Sequence, residues 1–201
     1  MNTDDTNSDV NSNAKVDATA GGATAGSPAD TGIVSRMLRA AKLESQLYEE
    51  VEADKSSLGQ ATAVVVLSSL AAGVGNFGNG GMGMLIPGTL AALGSWYIWA
   101  FLTYIIGTRL LPEPQTRADH KELLRTTGFS SAPGLIRVLG VIPGMTGIVY
   151  FIASLWMLIA MVISVRQALD YTGTGRALAV CAGGWVVQGA VIYVILQAFA
   201  L

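Results

Sequence analysis

Charge is what this chain has least of. Charged residues fill 13% of its 201 positions, about half the usual share of a soluble globule, and long stretches carry none. A second cysteine is missing. Cys181 stands alone, which excludes a disulfide framework and a cysteine-based zinc site. Histidine is equally scarce: His120 is the only one, so neither a His-Glu-x-x-His metalloprotease nor a paired-histidine metal site is available. There is no basic excess either. Twelve Lys and Arg face fourteen Asp and Glu, a formal net charge of −2, and no nucleic-acid partner is expected. The long apolar runs hold no Asp, Glu, Lys or His. That counts against a proton-coupled carrier and against an intramembrane aspartyl protease. The glycine-rich GVGNFGNGGMG at 73–83 lacks the Lys-Ser/Thr that completes a phosphate loop and reads as a turn. Met82 and Met84, with Met145, are thin material for a copper(I) site and read as apolar contacts at a membrane edge. No cofactor, no metal and no enzymatic activity are therefore expected.

What is present is hydrophobic: 51% of the residues, with a mean hydropathy of +0.49. The lipid bilayer is the expected surroundings. Residues 1–32 are the exception, a polar tail with five acids and one base and almost no large apolar residue. Such a segment cannot offset the entropy of ordering, so it reads as disordered. From Ile33 the pattern turns helical. Val34, Met37, Leu38, Ala41, Tyr48 and Val51 recur at three- and four-residue steps among Arg36, Arg39, Lys42, Glu49, Glu50 and Glu52. This predicts an amphipathic helix over 33–53 within a cytosolic segment 33–56. It either lies in the headgroup layer or packs on the protein's own loops.

Residues 57–201 form the membrane domain. Apolar runs predict spans at about 58–75, 84–108, 144–165 and 177–201. The stretch 129–142 is ambiguous. About 14 helical residues reach about 21 Å, against a hydrocarbon core of about 30 Å, and it carries Arg137. Charge placement decides. Bases gather at 33–56 (Arg36, Arg39, Lys42, Lys55), at 109–128 (Arg109, Arg117, Lys121, Arg125) and at 166–176 (Arg166, Arg176), with none at 76–83. Lys and Arg favour the cytoplasmic side, and all three regions share that side only if 129–142 crosses. The fold class is therefore an all-α bundle of five transmembrane helices, preceded by the amphipathic helix and the tail. The expected location is the inner or plasma membrane, with the N-terminus cytoplasmic and the C-terminus outside.

Two stretches carry a resemblance. The first is RMLRAAKLESQLYEEVEADKSSLGQATAVVVLSSLAAGVG. The second is TTGFSSAPGLIRVLGVIPGMTGIVYFIASLWMLIAMVISVRQALDYTGTGRAL. In order and spacing they resemble the prokaryotic branch of the YIP family, membrane proteins named for Ypt/Rab-interacting proteins. Gly128, Phe129 and Pro133 fall where that family's Gly-Tyr-x-x-x-Pro pattern would place them. The resemblance implies five spans with a cytosolic N-terminus. In eukaryotes the family is linked to Rab GTPases and vesicle trafficking, but this chain lacks the Asp-Leu-Tyr-Gly-Pro stretch, so GTPase binding is not implied.

The candidate residues follow from these patterns. Arg137 is a charge within a predicted span. It can snorkel to the cytosolic interface, bond to carbonyls freed by Pro133 or Pro143, or face a cavity and hold an anion. Gly175, Ala179 and Gly183 step by four along the last span, where small residues let helices approach, within the bundle or between protomers. Gln60, Gln188 and Gln197 are expected to bond across helices. His120 reads as a solvated loop residue. The function these features favour is a membrane scaffold or adaptor that recruits a cytosolic protein or a second copy of itself; the alternative is a small transporter or channel subunit with Arg137 in the pathway.

Overall fold

The structure, a computed structural model, describes residues 32–79, 83 and 85–199. The tail, apart from Gly32, and the pair Met82 and Met84 lie outside the described residues. Within them every regular element is helical: α1 (Ile33–Ala41), α2 (Ser45–Ala53), α3 (Leu58–Gly75), α4 (Leu85–Ile105), α5 (His120–Phe129), α6 (Thr146–Ala168) and α7 (Thr174–Phe199). A 3-10 helix, Ala132–Val141, follows α5.

Four stretches are long and apolar enough to cross a membrane: Lys55–Gly75, Leu85–Leu110, Thr146–Ala168 and Thr174–Val194. Helices suit that environment because each satisfies its own backbone where no water can. Their outward faces are apolar, with Ile86, Leu90, Phe151 and Val186 exposed, a surface that only lipid covers without cost. At its end α4 widens into a π turn, Ile106–Leu110. The Tyr171 hydroxyl reaches the carbonyls of Gly107 at 3.1 Å and Leu111 at 2.8 Å.

The ambiguous stretch is not one short α-helix. It begins earlier, at His120, where the Glu122 carboxylate accepts the Asp119 N–H at 2.7 Å and caps the first turn. Every residue from Leu123 to Phe129 is buried. After Ser130 and Ser131 the chain tightens into the 3-10 segment, with Pro133 in its first turn. Ten residues at about 1.5 Å and ten at about 2.0 Å give a run of about 35 Å, well beyond the length expected from 129–142. Small residues fix its course beside α3. A Cβ on Gly128 would stand 2.8 Å from that of Ala61, in the first turn of α3. Gly134 abuts the Ser68 side chain midway. At the last turn, Gly75 abuts the Arg137 carbonyl, and a Cβ on Gly140 would lie 2.8 Å from the Gly75 oxygen.

The predicted helix over 33–53 is broken in two, which corrects the single amphipathic helix. Leu43 adopts a left-handed conformation, φ 63°, and turns the chain between α1 and α2. The halves bury different things. In α2, Leu47, Tyr48 and Val51 are fully buried against Ala61, Val64, Phe129 and Ala132. In α1, Arg36 points inward while Val34 and Leu38 stay 67% and 58% exposed. So α2 packs on the protein itself, and α1 does so through Ile33, Met37 and Ala40 while turning Val34 and Leu38 out.

One end of the bundle gathers most of the polar contacts. Gln167 donates to Glu49 at 2.7 Å, Thr172 donates to Glu113, and Arg176 donates to the Pro112 carbonyl at 2.9 Å. These tie α2, the turn after α4 and the α6–α7 turn together. The three basic regions therefore meet at this charged end. Gly75, Arg137 and Tyr150 mark the opposite end.

Candidate functional site

Two places concentrate polar chemistry. The first is the charged end. Arg36 is buried and bidentate: it donates to Asp54 at 2.9 Å and to Gln60 at 2.9 Å. Arg39 grips Glu50 with both terminal nitrogens, at 2.6 and 2.7 Å, and Glu44 through Nε at 2.9 Å. The Arg39 bonds hold the Glu50 carboxyl below its usual range. The hydrogen bond from Ser56 does the same for Asp54, with Arg36 adding to it. Arg125, from α5, is buried and donates to the Val51 carbonyl at 2.9 Å and to the Glu52 carbonyl. It thereby satisfies the last turn of α2. Nothing in the sequence singles Arg125 out, because its partners are backbone atoms more than seventy residues away.

Glu52 sits amid this cluster. Burial, reinforced by the nearby carboxylates of Glu122 and Asp170, pushes its pKa up to about 7. The sign of the resulting pH dependence is fixed. An acid whose folded pKa is raised keeps its proton in the folded state while the unfolded chain has lost it. Stability therefore falls as pH rises from about 4.5 to about 7, and is level above. Glu52→Gln is expected to abolish that fall and to raise the melting temperature at pH 8. Parallel melting curves for the two proteins from pH 5 to 8 would contradict this.

His120 departs from its expected place in solvent. Tyr97, Phe101 and Tyr104 surround its ring edge-on, with centroids 5.1, 5.7 and 6.3 Å away, and neither ring nitrogen finds a partner among the described residues. The three aromatics sit at i, i+4 and i+7 of α4, a spacing that puts them on one face of the helix. What was not legible is which residue packs against it.

The second place is a cavity of about 240 Å³ between α3, α4, α6, α7 and the α5–3-10 junction, lined by Ser68, Ser95, Trp96, Thr127, Ser131 and Arg137 among others. Arg137 does not snorkel toward the charged end, since it lies level with Gly75 at the other one, and its side chain makes no bond to a carbonyl of the described residues. Its guanidinium stacks over Tyr150, 5.6 Å from the ring centroid, and its Nε is buried without a partner among the described residues. Trp96 donates to Thr127 at 3.2 Å across the cavity wall. Gln188 lines the same space, while Gln60 bonds Arg36 and Gln197 is exposed.

The remaining candidates are dispersed. Gly128, Phe129 and Pro133 are buried along the central segment, and Pro143 is exposed in the turn before α6. Gly175 and Ala179 face outward, with nothing within 4 Å of a Cβ on Gly175. Gly183 lies 3.8 Å from Ile106 by the same measure. The face of α7 that packs inside the bundle is instead Ala177, Val180 and Cys181, with Gly184 against Trp99. Among the described residues no group of three or more His, Cys, Asp or Glu is placed to hold a metal ion.

Four apolar helices beside a broken, partly buried segment define a multi-pass α-helical membrane protein. The family follows from comparison with known proteins. Residues 44–196 match the Yip1 domain, and the chain belongs to the YIP family. The match covers α2 to α7 and leaves α1 outside. No curated protein and no solved structure matches the chain.

Proposed function

We propose that this protein is a non-enzymatic adaptor of the plasma or inner membrane, crossing it five times with its charged end in the cytosol and its C-terminus outside. The fifth crossing is the segment 120–141. A chain that accompanies a spanning helix from first turn to last traverses the same depth. With it, the three basic regions share one side, as the distribution of Lys and Arg requires.

The observation that carries the adaptor reading is the ordered charged end. α1, α2 and two loops are bound into one surface by ion pairs and hydrogen bonds, and Lys42, Glu49, Lys55, Arg109, Arg117 and Lys121 stand exposed on it. A surface held this rigidly presents its charges at low entropic cost to a partner of mixed charge, a cytosolic protein or a second copy of the chain. The transporter reading draws on Arg137 facing a cavity.

Two measurements test the proposal. A reporter active only outside the cytosol is expected to be active after Leu201 and inactive after Gln115; an inactive C-terminal fusion leaves four crossings. Crosslinking in native membranes is expected to capture a partner at Arg117 and Lys121, and to lose it in Arg117→Glu/Lys121→Glu. Solute flux through the purified, reconstituted protein, with no partner captured, would replace the adaptor by a transporter.

A further inference from the structure

Arg137 poses a problem of charge balance. A guanidinium carries five N–H donors, and those of Arg137 make no hydrogen bond or ion pair with any described residue. Every described Asp and Glu lies at 44–54, 113–122 or 170, at the charged end. The face of Tyr150 offers a cation–π contact, which stabilises the charge only in part. Charges held among spanning helices are paired or face a polar cavity. Here the cavity is present and the counter-charge is not supplied by the described chain.

The cavity has the features of an anion receptor. Its lining includes, besides Arg137, the hydroxyls of Ser68, Ser95 and Ser131, none bonded to a described residue, and the Gln188 amide. Hydroxyls and amides complete the shell of a phosphate whose negative oxygens face an arginine fork. Cysteine, histidine and carboxylate are absent from the lining, so a cation is disfavoured. Its volume of about 240 Å³ takes a headgroup-sized moiety. A second, wholly different hollow of about 330 Å³ is lined by Leu70, Leu85, Ile86, Thr89 and Leu90. Thr89 from this groove and Ser69 from the cavity wall bond to each other at 3.1 Å, so the two hollows adjoin across one hydroxyl pair. A hollow whose largely apolar wall carries an arginine and several hydroxyls, beside one with almost no polar surface, has the shape of an amphiphile. Its depth fits as well, because Arg137 lies level with the last turn of α3, toward the membrane surface remote from the charged end.

We propose that the Arg137 cavity binds a phosphate group, and that the adjoining apolar groove makes a phosphate-bearing lipid its source in preference to free phosphate. Arg137 holds the phosphate by a bidentate pair, and the serine hydroxyls fill its remaining lone pairs. This site does not depend on the adaptor role or on its partner.

The test uses the full-length protein, delipidated in detergent, and reads its melting temperature against added phosphatidic acid, diacylglycerol and inorganic phosphate. Phosphatidic acid supplies phosphate and chains, diacylglycerol chains alone, phosphate the anion alone. Phosphatidic acid is expected to stabilise saturably, diacylglycerol not, and free phosphate only at far higher concentration. Arg137→Gln is expected to bind phosphatidic acid about 10- to 100-fold more weakly, the loss of a charge-assisted pair. Arg137→Lys, which keeps the charge and loses the fork, is expected to fall between. Equal stabilisation by free phosphate would keep the anion site and remove the lipid source. Equal stabilisation by diacylglycerol, no response to either phosphate compound, or an undiminished response in Arg137→Gln would each overturn the proposal. Should Arg137→Gln fail to fold, the three wild-type titrations decide alone.

Discussion

Gly75→Ala is expected to cost about 3 kcal/mol or more, at the upper end of what overpacking does. The new methyl has nowhere to go. It would run into the carbonyl oxygen of Arg137, a backbone atom that no rotamer change can move. The oxygen of Gly75 meanwhile lies where the 3-10 segment passes Gly140, so α3 cannot retreat along its axis without losing that contact too. The whole central segment has to shift, and Tyr150, whose hydroxyl donates to the Ala72 carbonyl, shifts with it. Reduced monodisperse yield in detergent and a melting temperature lower by several degrees are the readouts. Gly59→Ala is the control. It stands in the first turn of α3 with nothing within 4 Å of the added methyl, and should be neutral or slightly stabilising through helix propensity. Equal behaviour of the two variants would refute the close approach of α3 and the central segment.

The second large effect is expected at Arg125. Arg125→Met keeps the length and apolar stem of the side chain and removes both charge-assisted bonds to Val51 and Glu52. Bonds of this kind contribute about 1.5 to 3 kcal/mol each. The acceptors are carbonyls at the end of α2, whose own ladder has run out; the Glu52 carbonyl loses its side-chain donor, while that of Val51 keeps the Ser57 hydroxyl at 2.9 Å. The loss is local. Hydrogen exchange is expected to accelerate across 45–57, while amides of α6 and α7 keep their protection. Arg125→Lys restores charge but not the two-pronged reach, and is expected to recover part of the protection. Unchanged exchange in Arg125→Met would show that α2 is held by Leu47, Tyr48 and Val51 alone.

The four apolar helices were legible because lipid imposes one rule on everything it touches. Residues such as Ile86, Phe151 and Val186 must be apolar whatever they pack against, so hydropathy finds α3, α4, α6 and α7 within a few residues. The segment 120–141 obeys that rule only at its end, where Val138, Leu139 and Val141 are exposed. Before that its neighbours are other helices, and what they demand is small size at Gly128 and Gly134, which leaves only the short apolar run at 129–142 to notice. Its 3-10 geometry also defeats an argument from length, since the rise per residue is larger than an α-helix allows. The break at Leu43 was hidden for another reason: a leucine in a left-handed turn carries none of the marks that glycine or asparagine would. Arg137 was legible as an anomaly, because a charge inside an apolar stretch stands out. Its surroundings were not, since serines 68, 95 and 131 come from three different segments and mean nothing until they are brought together.

The 3-10 helix from Ala132 to Val141 has a mechanical consequence. It is far longer than the three or four residues at which that geometry is usually abandoned. Rewound as an α-helix, its ten residues would shorten by about 5 Å, close to one helical turn. The segment is thus a drawn spring, kept extended by Ser68 near its start and Gly75 toward its end. If those catches let go, the turn at Ile142–Met145 would be drawn inward and Arg137 would rotate with it. Axial length and the aim of a single cation are coupled in one short piece of chain.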